Sequence, residues 1–124
     1  MNVVDSSGWL EFFADGPNAP FFAPAIQKTA ELIVPTISLY EVFKQVLQQK
    51  GETNALRAVA AMEQGTIVSL DSSLALAAAK LSIQAKLPMA DSIMLATAWD
   101  YEAVLWTQDE DFKGFQGVRY AAAP

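Results

Sequence analysis

Short apolar runs alternate with longer segments of helical periodicity along the whole sequence, and this alternation is the feature that most limits the fold. Strands that are short, apolar and separated by helices are typical of a parallel sheet buried on both faces. The pattern therefore predicts the α/β class, with a mainly parallel sheet between helices. The runs lie at residues 2–5, 32–34, 66–70 and 103–107, with a weaker edge-strand candidate at 118–120.

The segments between these runs carry recognisable helix boundaries. Ser6 or Ser7 is expected to cap the first helix and Asp71 the fifth, while Gly51 is expected to end the third. The sixth helix is apolar on nearly every side, which predicts that it is buried. The first helix ends at Gly16–Pro17, a second runs from a proline-punctuated entry to about 29, and the others span about 37–50, 53–64, 71–86 and 88–101.

A length of 124 residues suits one domain, and no linker or low-complexity segment divides the chain, so residues 1–124 are expected to form a single domain. No apolar run approaches the roughly 18 residues that a membrane span needs. The N-terminus lacks the basic and apolar regions of a signal peptide. The expected compartment is therefore the cytosol, without membrane association.

The chain contains no cysteine and no histidine, which narrows the chemistry more than any motif does. Disulfide frameworks, thiolate nucleophiles, zinc sites built on Cys or His, and Ser-His-Asp triads are all excluded. Hydrolytic chemistry near neutral pH must then depend on carboxylates. Carboxylate oxygens are the ligands that Mg²⁺ and Mn²⁺ prefer.

Asp5 is the first candidate acid, because it follows a strand and precedes a helix. The same local pattern recurs at Asp71, where Leu70-Asp71-Ser72-Ser73 echoes Val4-Asp5-Ser6-Ser7. In open α/β sheets ligands bind beyond the carboxyl ends of the strands where the strand order reverses, and the first strand is usually central. We therefore expect Asp5 to be functional and Asp71 to be only a helix cap.

Three further acids are candidates of unequal strength. Asp91 shares a helical face with the apolar residues 94, 95 and 98, so an unpaired charge there would be costly without a metal or partner. Glu41 precedes Lys44 and Gln45, and this local pattern alone favours a solvated Glu–Lys pair. Asp109 lies closer to the end of the last strand than Asp111, which is the alternative or supporting acid.

Taken together, these segments resemble, in order and spacing, the four motifs of PIN-domain ribonucleases, and the length resembles that of the VapC-type toxin branch. The resemblance spans essentially the whole chain. The segments are Val4-Asp5-Ser6-Ser7, Ser38-Leu39-Tyr40-Glu41, Met89-Ala90-Asp91-Ser92-Ile93 with Ala96-Thr97-Ala98, and Thr107-Gln108-Asp109-Glu110-Asp111-Phe112.

The resemblance implies a three-layer α/β/α sandwich that hydrolyses RNA with one or two Mg²⁺ or Mn²⁺ ions. It also implies a homodimer and a small antitoxin protein that covers the active site. By position, Asp5, Glu41, Asp91 and Asp109 match the catalytic, metal-binding acids, Asp111 matches a further acid of variable role, and Ser6 and Thr107 match hydroxyl residues that line the site.

Other functions remain open at this point. A phosphoacceptor receiver domain needs paired acids near the first strand and a late lysine, but Ser6-Ser7 and Gln108 occupy those places. A haloacid-dehalogenase-type phosphatase needs a second Asp where Ser7 stands. A PIN fold that binds nucleic acid or protein without catalysis is the main alternative, and a nuclease assay with and without EDTA discriminates it.

The charge and the aromatic residues bear on the partners. A net charge of −6 argues against strong nonspecific affinity for nucleic acid. Some basic residues on predicted helices are expected either to rim the pocket or to be simply solvated. Aromatic residues near the N-terminus are expected mostly in the core, with some at a dimer or antitoxin surface. The basic residues are Lys44, Lys50, Arg57, Lys80 and Lys86. The aromatic residues are Trp9, Phe12, Phe13, Phe21 and Phe22.

Overall fold

A computed structural model describes residues 1–124 and contains the five strands and six helices that the sequence predicts. Two short 3₁₀ turns, Thr29–Glu31 and Glu110–Phe112, were not predicted. The strands are β1 (Asn2–Val4), β2 (Leu32–Pro35), β3 (Thr66–Val68), β4 (Val104–Thr107) and β5 (Val118–Tyr120). The helices are α1 (Ser6–Phe13), α2 (Ala19–Gln27), α3 (Thr36–Lys50), α4 (Glu52–Met62), α5 (Ser72–Ala85) and α6 (Met89–Asp100).

The strands form one sheet in the order β3-β2-β1-β4-β5, and every neighbouring pair is parallel. The α/β class and the central position of β1 are therefore confirmed. In β1, Val3 lies opposite Ile33 of β2 and opposite Leu105 of β4. Because the chain builds outward from β1 to β3 and then returns for β4, the strand order reverses between β1 and β4. Ligands bind at such a point in open α/β sheets.

Helices cover both faces of the sheet, which confirms the three-layer arrangement. Because successive residues of a strand point to opposite faces, Val3 belongs to the core beneath α5 and α6, whereas Val4 belongs to the core beneath α1 to α4. The apolar sixth helix is buried from Ser92 to Ala98, as predicted. No helix combines the length and the hydropathy that crossing a bilayer requires.

The N-terminal aromatic residues belong mainly to the core beneath α1 to α4. Trp9 and Phe22 are fully buried, and Phe12, Phe13 and Phe21 are half-buried against them. Core packing therefore accounts for most of this cluster. Gly8 allows the close approach, because a Cβ at this position would lie 2.6 Å from the Phe22 ring and 2.8 Å from Val4. This contact holds the start of α1 directly against β1.

Several element boundaries differ from the prediction for local reasons. Asp5, not Ser6 or Ser7, occupies the N-cap position of α1. Strand β3 ends at Val68 because its only neighbour, β2, ends at Pro35 opposite it, so residues 69 and 70 have no strand to pair with. Helix α2 contains Pro24, a residue expected only at its entry. Helix α3 begins at Thr36, one residue before the predicted start, and carries Glu41 in its second turn.

Candidate metal centre

Asp5 lies at the carboxyl end of β1, at the point where the strand order reverses. Its backbone N–H donates to the Trp106 carbonyl at 2.9 Å, so the pairing of β1 with β4 continues to this residue. Only 4% of Asp5 is exposed. Although it occupies an N-cap position, its side chain makes no cap hydrogen bond.

Hydroxyl groups hold the Asp5 carboxylate from two sides. Ser7 Oγ donates to Asp5 Oδ2 at 2.7 Å, and Thr107 Oγ1 donates to the same oxygen at 3.1 Å. Thr107 Oγ1 in turn accepts from the backbone N–H of Asp109 at 2.9 Å. One hydroxyl at the end of β4 thus joins the two acids that follow the neighbouring strands.

Asp71 behaves in the opposite way, although its local sequence is almost the same. Its carboxylate accepts the backbone N–H of Leu74 at 2.8 Å and so caps α5. The residue is exposed. The expectation that Asp71 is a helix cap is therefore confirmed.

Glu41 reaches the same region from α3. Ser6 Oγ donates to Glu41 Oε1 at 2.7 Å, which ties the second turn of α3 to the start of α1. Lys44, which the local pattern paired with Glu41, places its Nζ over the Tyr40 ring, 5.7 Å from the centroid. Glu41 therefore bonds to Ser6 and lines the cavity that the other acids share.

Asp91 lies in the first turn of α6 and is half-buried. The face of α6 that carries it is the buried one, as expected, but this first turn reaches the edge of the sheet where other acids lie. Carboxylate oxygens of Asp91, Asp109 and Asp111 all come within 4.8 Å of one another. Asp109 Oδ1 also accepts the backbone N–H of Asp111 at 2.9 Å, which turns this loop back towards α6.

A cavity of about 230 Å³ lies between these segments. It brings together all four acids predicted as ligands, whereas Asp111 joins the carboxylate cluster without lining the cavity. None of the basic residues lines the cavity, so the first of the two alternatives for them, that they rim the pocket, finds no support in its lining. The lining consists of Asp5, Ser6, Ser7, Leu10, Glu41, Gln45, Asp91 and Asp109.

The crowding and burial of these acids alter their proton affinity. Burial raises the pKa of Asp5 from 3.8 to about 6, although the hydrogen bonds from Ser7 and Thr107 act in the other direction. Burial, followed by the charges of Asp109 and Asp5, raises the pKa of Asp91 from 3.8 to about 7. Both carboxyl groups therefore lie in surroundings that disfavour their charged forms.

Two polar residues of the site were not predicted. Ser7 holds Asp5, and Gln45 lines the cavity. The spacing Asp5-Ser6-Ser7 contained a signal for Ser7, because a serine two residues after an N-cap acid can turn back to it. Gln45 carried no such signal, since only the orientation of α3 brings it to the cavity.

The loop that carries Asp109 is also held from outside the cavity. Asn18 Nδ2 donates to Gln108 Oε1 and to the Ala122 carbonyl, both at 2.9 Å. The backbone N–H of Asn18 donates to Glu11 Oε2 at 2.8 Å. These bonds connect the α1–α2 loop, the loop after β4 and the C-terminal segment.

The donor set of the cavity fits a hard divalent cation. Every side chain that could coordinate an ion offers oxygen, and the neighbouring carboxylates of Asp91, Asp109 and Asp111 are close enough to share one. Oxygen ligands in this arrangement suit Mg²⁺ and Mn²⁺. A cation here would offset the like-charge repulsion that the pKa values of Asp5 and Asp91 reflect.

Comparison with solved structures shows the same fold along almost the whole chain. A chain in a toxin–antitoxin complex from Klebsiella pneumoniae has a TM-score of 0.82 and 23% identity, with 96% of each chain covered. VapC20 from Mycobacterium tuberculosis, described as a sarcin–ricin loop cleaving toxin, has a TM-score of 0.79 and 18% identity, with 96% of this chain and 99% of that chain covered.

A third structure, VapBC2 from Rickettsia felis bound to a fragment of promoter DNA, has a TM-score of 0.74 and 12% identity, with 98% of this chain and 97% of that chain covered. No curated protein sequence is significantly similar to this chain. A family model described as the PIN domain matches residues 3–117, which include all the acids of the cavity. The chain therefore belongs to the PIN-domain family.

Proposed function

We propose that this protein is an endoribonuclease that depends on Mg²⁺ or Mn²⁺ and acts as the toxin of a toxin–antitoxin pair. The observation that carries the proposal is the single cavity in which Asp5, Glu41, Asp91 and Asp109 converge from four separate segments. Four acids in one cavity without a basic residue are costly to stability unless a cation is bound there.

Asp5, Glu41, Asp91 and Asp109 are the proposed metal ligands, with Asp111 as a supporting acid. When bound, a divalent ion supplies Lewis acidity that lets water attack a phosphodiester near neutral pH and offsets charge on the scissile phosphate. The hydroxyls of Ser7 and Thr107 fix the orientation of Asp5, and that of Ser6 fixes Glu41. The carboxylates position the ion and need not accept the proton themselves.

The similar structures support the proposed substrate and partner. One of them is a toxin that cleaves the sarcin–ricin loop, and another is a toxin–antitoxin complex. RNA is therefore the proposed substrate, and a small antitoxin protein that covers the cavity is the proposed partner. The cytosol is the proposed compartment, because the proposed substrate is present there.

The proposal includes a homodimer, for which an aliphatic groove on α5 and α6 is the candidate surface. The groove has a volume of about 460 Å³, and no charged side chain lines it. Ile83 and Met89 at its border are 83% and 73% exposed. Because the chain carries a net charge of −6, a second copy is best accepted where neither surface is charged.

We expect Asp5→Asn and Asp91→Asn to abolish cleavage of single-stranded RNA in Mg²⁺, because each variant removes a proposed ligand. EDTA should have the same effect on the unaltered protein. The matched control is Asp71→Asn, since Asn also caps a helix and Asp71 does not line the cavity. Circular dichroism checks folding. Undiminished cleavage by both variants would contradict the site, and metal-independent activity would contradict the mechanism.

Ser7→Ala should weaken Mn²⁺ binding by about 10–100-fold, the usual effect of removing a group that orients a metal ligand. The matched control is Ser73→Ala, because Ser73 holds the corresponding place in the echoed Leu70-Asp71-Ser72-Ser73 segment. Isothermal titration calorimetry measures the Mn²⁺ affinity of both variants. Equal affinity in Ser7→Ala and Ser73→Ala would show that the Ser7 hydroxyl does not organise the site.

The stability of the metal-free protein should fall as pH rises from about 4 to 7. The folded-state pKa of Asp5 is raised to about 6, so the unfolded chain loses its proton first, and the native state becomes less stable across this window. Two pKa units correspond to about 3 kcal/mol for this buried group. The pKa of Asp91 is raised to about 7, so the pH range over which stability falls extends to about 7.

Urea unfolding in EDTA at several pH values measures this effect, with Asp5→Asn as the comparison. The variant should gain stability relative to the unaltered protein as pH rises from 4 to 6. Mg²⁺ should reverse the trend, because metal binding requires deprotonated carboxylates. A pH-independent difference between the two proteins would contradict the assigned shift.

At micromolar concentration the protein should sediment as a dimer, and Ile83→Glu should sediment as a monomer, because it places a charge in the apolar interface. Leu56→Glu is the matched control, since Leu56 is an exposed aliphatic residue on α4, in the opposite layer. A monomeric unaltered protein would refute the dimer. Equal dissociation by both variants would refute the assigned surface.

A further inference from the structure

A second cavity adjoins the acid cavity, between the end of α1 and the facing sides of α3 and α4; we refer to it as the α3–α4 cleft. Its volume is about 390 Å³, within the range of small-ligand sites. Leu10 and Gln45 line both cavities, so the two lie side by side on the surface. A polymer bound at the acids can therefore extend into the cleft without leaving the surface of the protein.

The turn between α3 and α4 brings two basic residues to this cleft. Gly51 alone separates the two helices, and it has a φ of +83°, a conformation that favours glycine. Asn54 Nδ2 donates to the Lys50 carbonyl at 2.9 Å and closes the corner. Lys50 at the end of α3 and Arg57 on α4 consequently line the same cleft.

The polar lining of the cleft consists of hydrogen-bond donors suited to anions. Lys50 and Arg57 are cationic, and Gln45, Gln49 and Asn54 carry amides. No carboxylate lines the cleft. This composition is the reverse of that of the acid cavity next to it, and phosphate oxygens are the acceptors that it matches.

Four of the six other basic residues have contacts or cavities of their own. Lys44 lies over Tyr40, Lys113 over Tyr120, and Arg119 over Trp106. Lys80 lines a different cavity, between α5 and α6. In a chain with a net charge of −6, Lys50 and Arg57 line a cavity beside the acids, where they can attract a polyanion.

The floor of the cleft is apolar and includes an aromatic ring. Phe13 lines it and is half-buried, with its ring stacked on Trp9 at a centroid distance of 5.6 Å. Aromatic rings beside cationic side chains are the usual combination in sites for single-stranded nucleic acid, since bases stack while phosphates are neutralised.

We propose that the α3–α4 cleft binds the single-stranded RNA that flanks the scissile phosphate, with Lys50 and Arg57 contacting its phosphates and Phe13 contacting a base. The inference rests on the proposed function, because it assigns the path of the same substrate. A protein segment is the competing occupant. The polar lining without carboxylates and the position beside the acid cavity favour RNA.

The test measures binding of a fluorescein-labelled 12-nucleotide single-stranded RNA by fluorescence anisotropy in EDTA, which prevents metal-dependent cleavage. Lys50→Gln with Arg57→Gln should weaken binding roughly tenfold or more, because the variant cannot form the charged hydrogen bonds to phosphate. The slope of log affinity against log salt should fall by about 1.4, or about 0.7 for each phosphate that the variant no longer neutralises.

Two control proteins make the result specific. Lys80→Gln with Lys86→Gln removes the same charge from the α5 region and should bind RNA as the unaltered protein does. Lys50→Arg with Arg57→Lys retains both charges and should restore most of the affinity. Equal weakening by the two Gln pairs would reduce the effect to net charge and would overturn the assignment.

The outcome is separable from that of the proposed function. RNA binding that depends on Lys50 and Arg57 in a protein that does not cut RNA would support the cleft and refute the nuclease activity. Cleavage with unchanged RNA affinity in the Lys50→Gln, Arg57→Gln variant would retain the activity and overturn the cleft. Loss of binding to a partner protein alone, with RNA affinity unchanged, would assign the cleft to a protein and would also overturn the proposal.

Discussion

The burial of the Asp5 carboxylate at the end of the central strand is the constraint on which the rest of the site depends. Burial and the neighbouring charge of Asp109 raise its pKa to about 6. The hydrogen bonds from Ser7 and Thr107 act in the other direction, because they stabilise the charged carboxylate. The packing of Gly8 on Phe22 and Val4 supports this arrangement, because the absence of a side chain lets the start of α1 lie directly against β1.

Most of the fold could be predicted because its signals are local. Apolar runs and helix boundaries indicated every strand and helix, and an all-parallel sheet follows once helices separate its strands. The errors arose where a neighbouring element or a side-chain hydrogen bond decides the outcome. Strand β3 stops at Val68 because β2 ends there, and the 3₁₀ turn after Asp109 depends on a hydrogen bond between Asp109 and Asp111.

The candidate site could be predicted only in part. Asp5 and Asp71 have almost the same local sequence, and only the position of β1 at the switch of strand order separates them. Local pattern favoured a lysine partner for Glu41, whereas tertiary contact directs it to Ser6. The corner at Gly51 brings Arg57 of α4 beside Gln45 and Lys50 of α3; the sequence predicts the glycine at this place but not the angle between the two helices. The assignment of these residues to metal and RNA remains a prediction.

The hydroxyl of Thr107 has a consequence for how sequences of this fold can vary. The hydroxyl oxygen accepts a hydrogen bond from the backbone N–H of Asp109, and the single hydroxyl proton is donated to Asp5. The direction of each bond is fixed, because a backbone N–H can only donate and a carboxylate can only accept. Valine has the same shape but can neither donate nor accept here. The side chain at position 107 therefore links the end of β1 to the loop after β4 through two hydrogen bonds, and a valine there would break both.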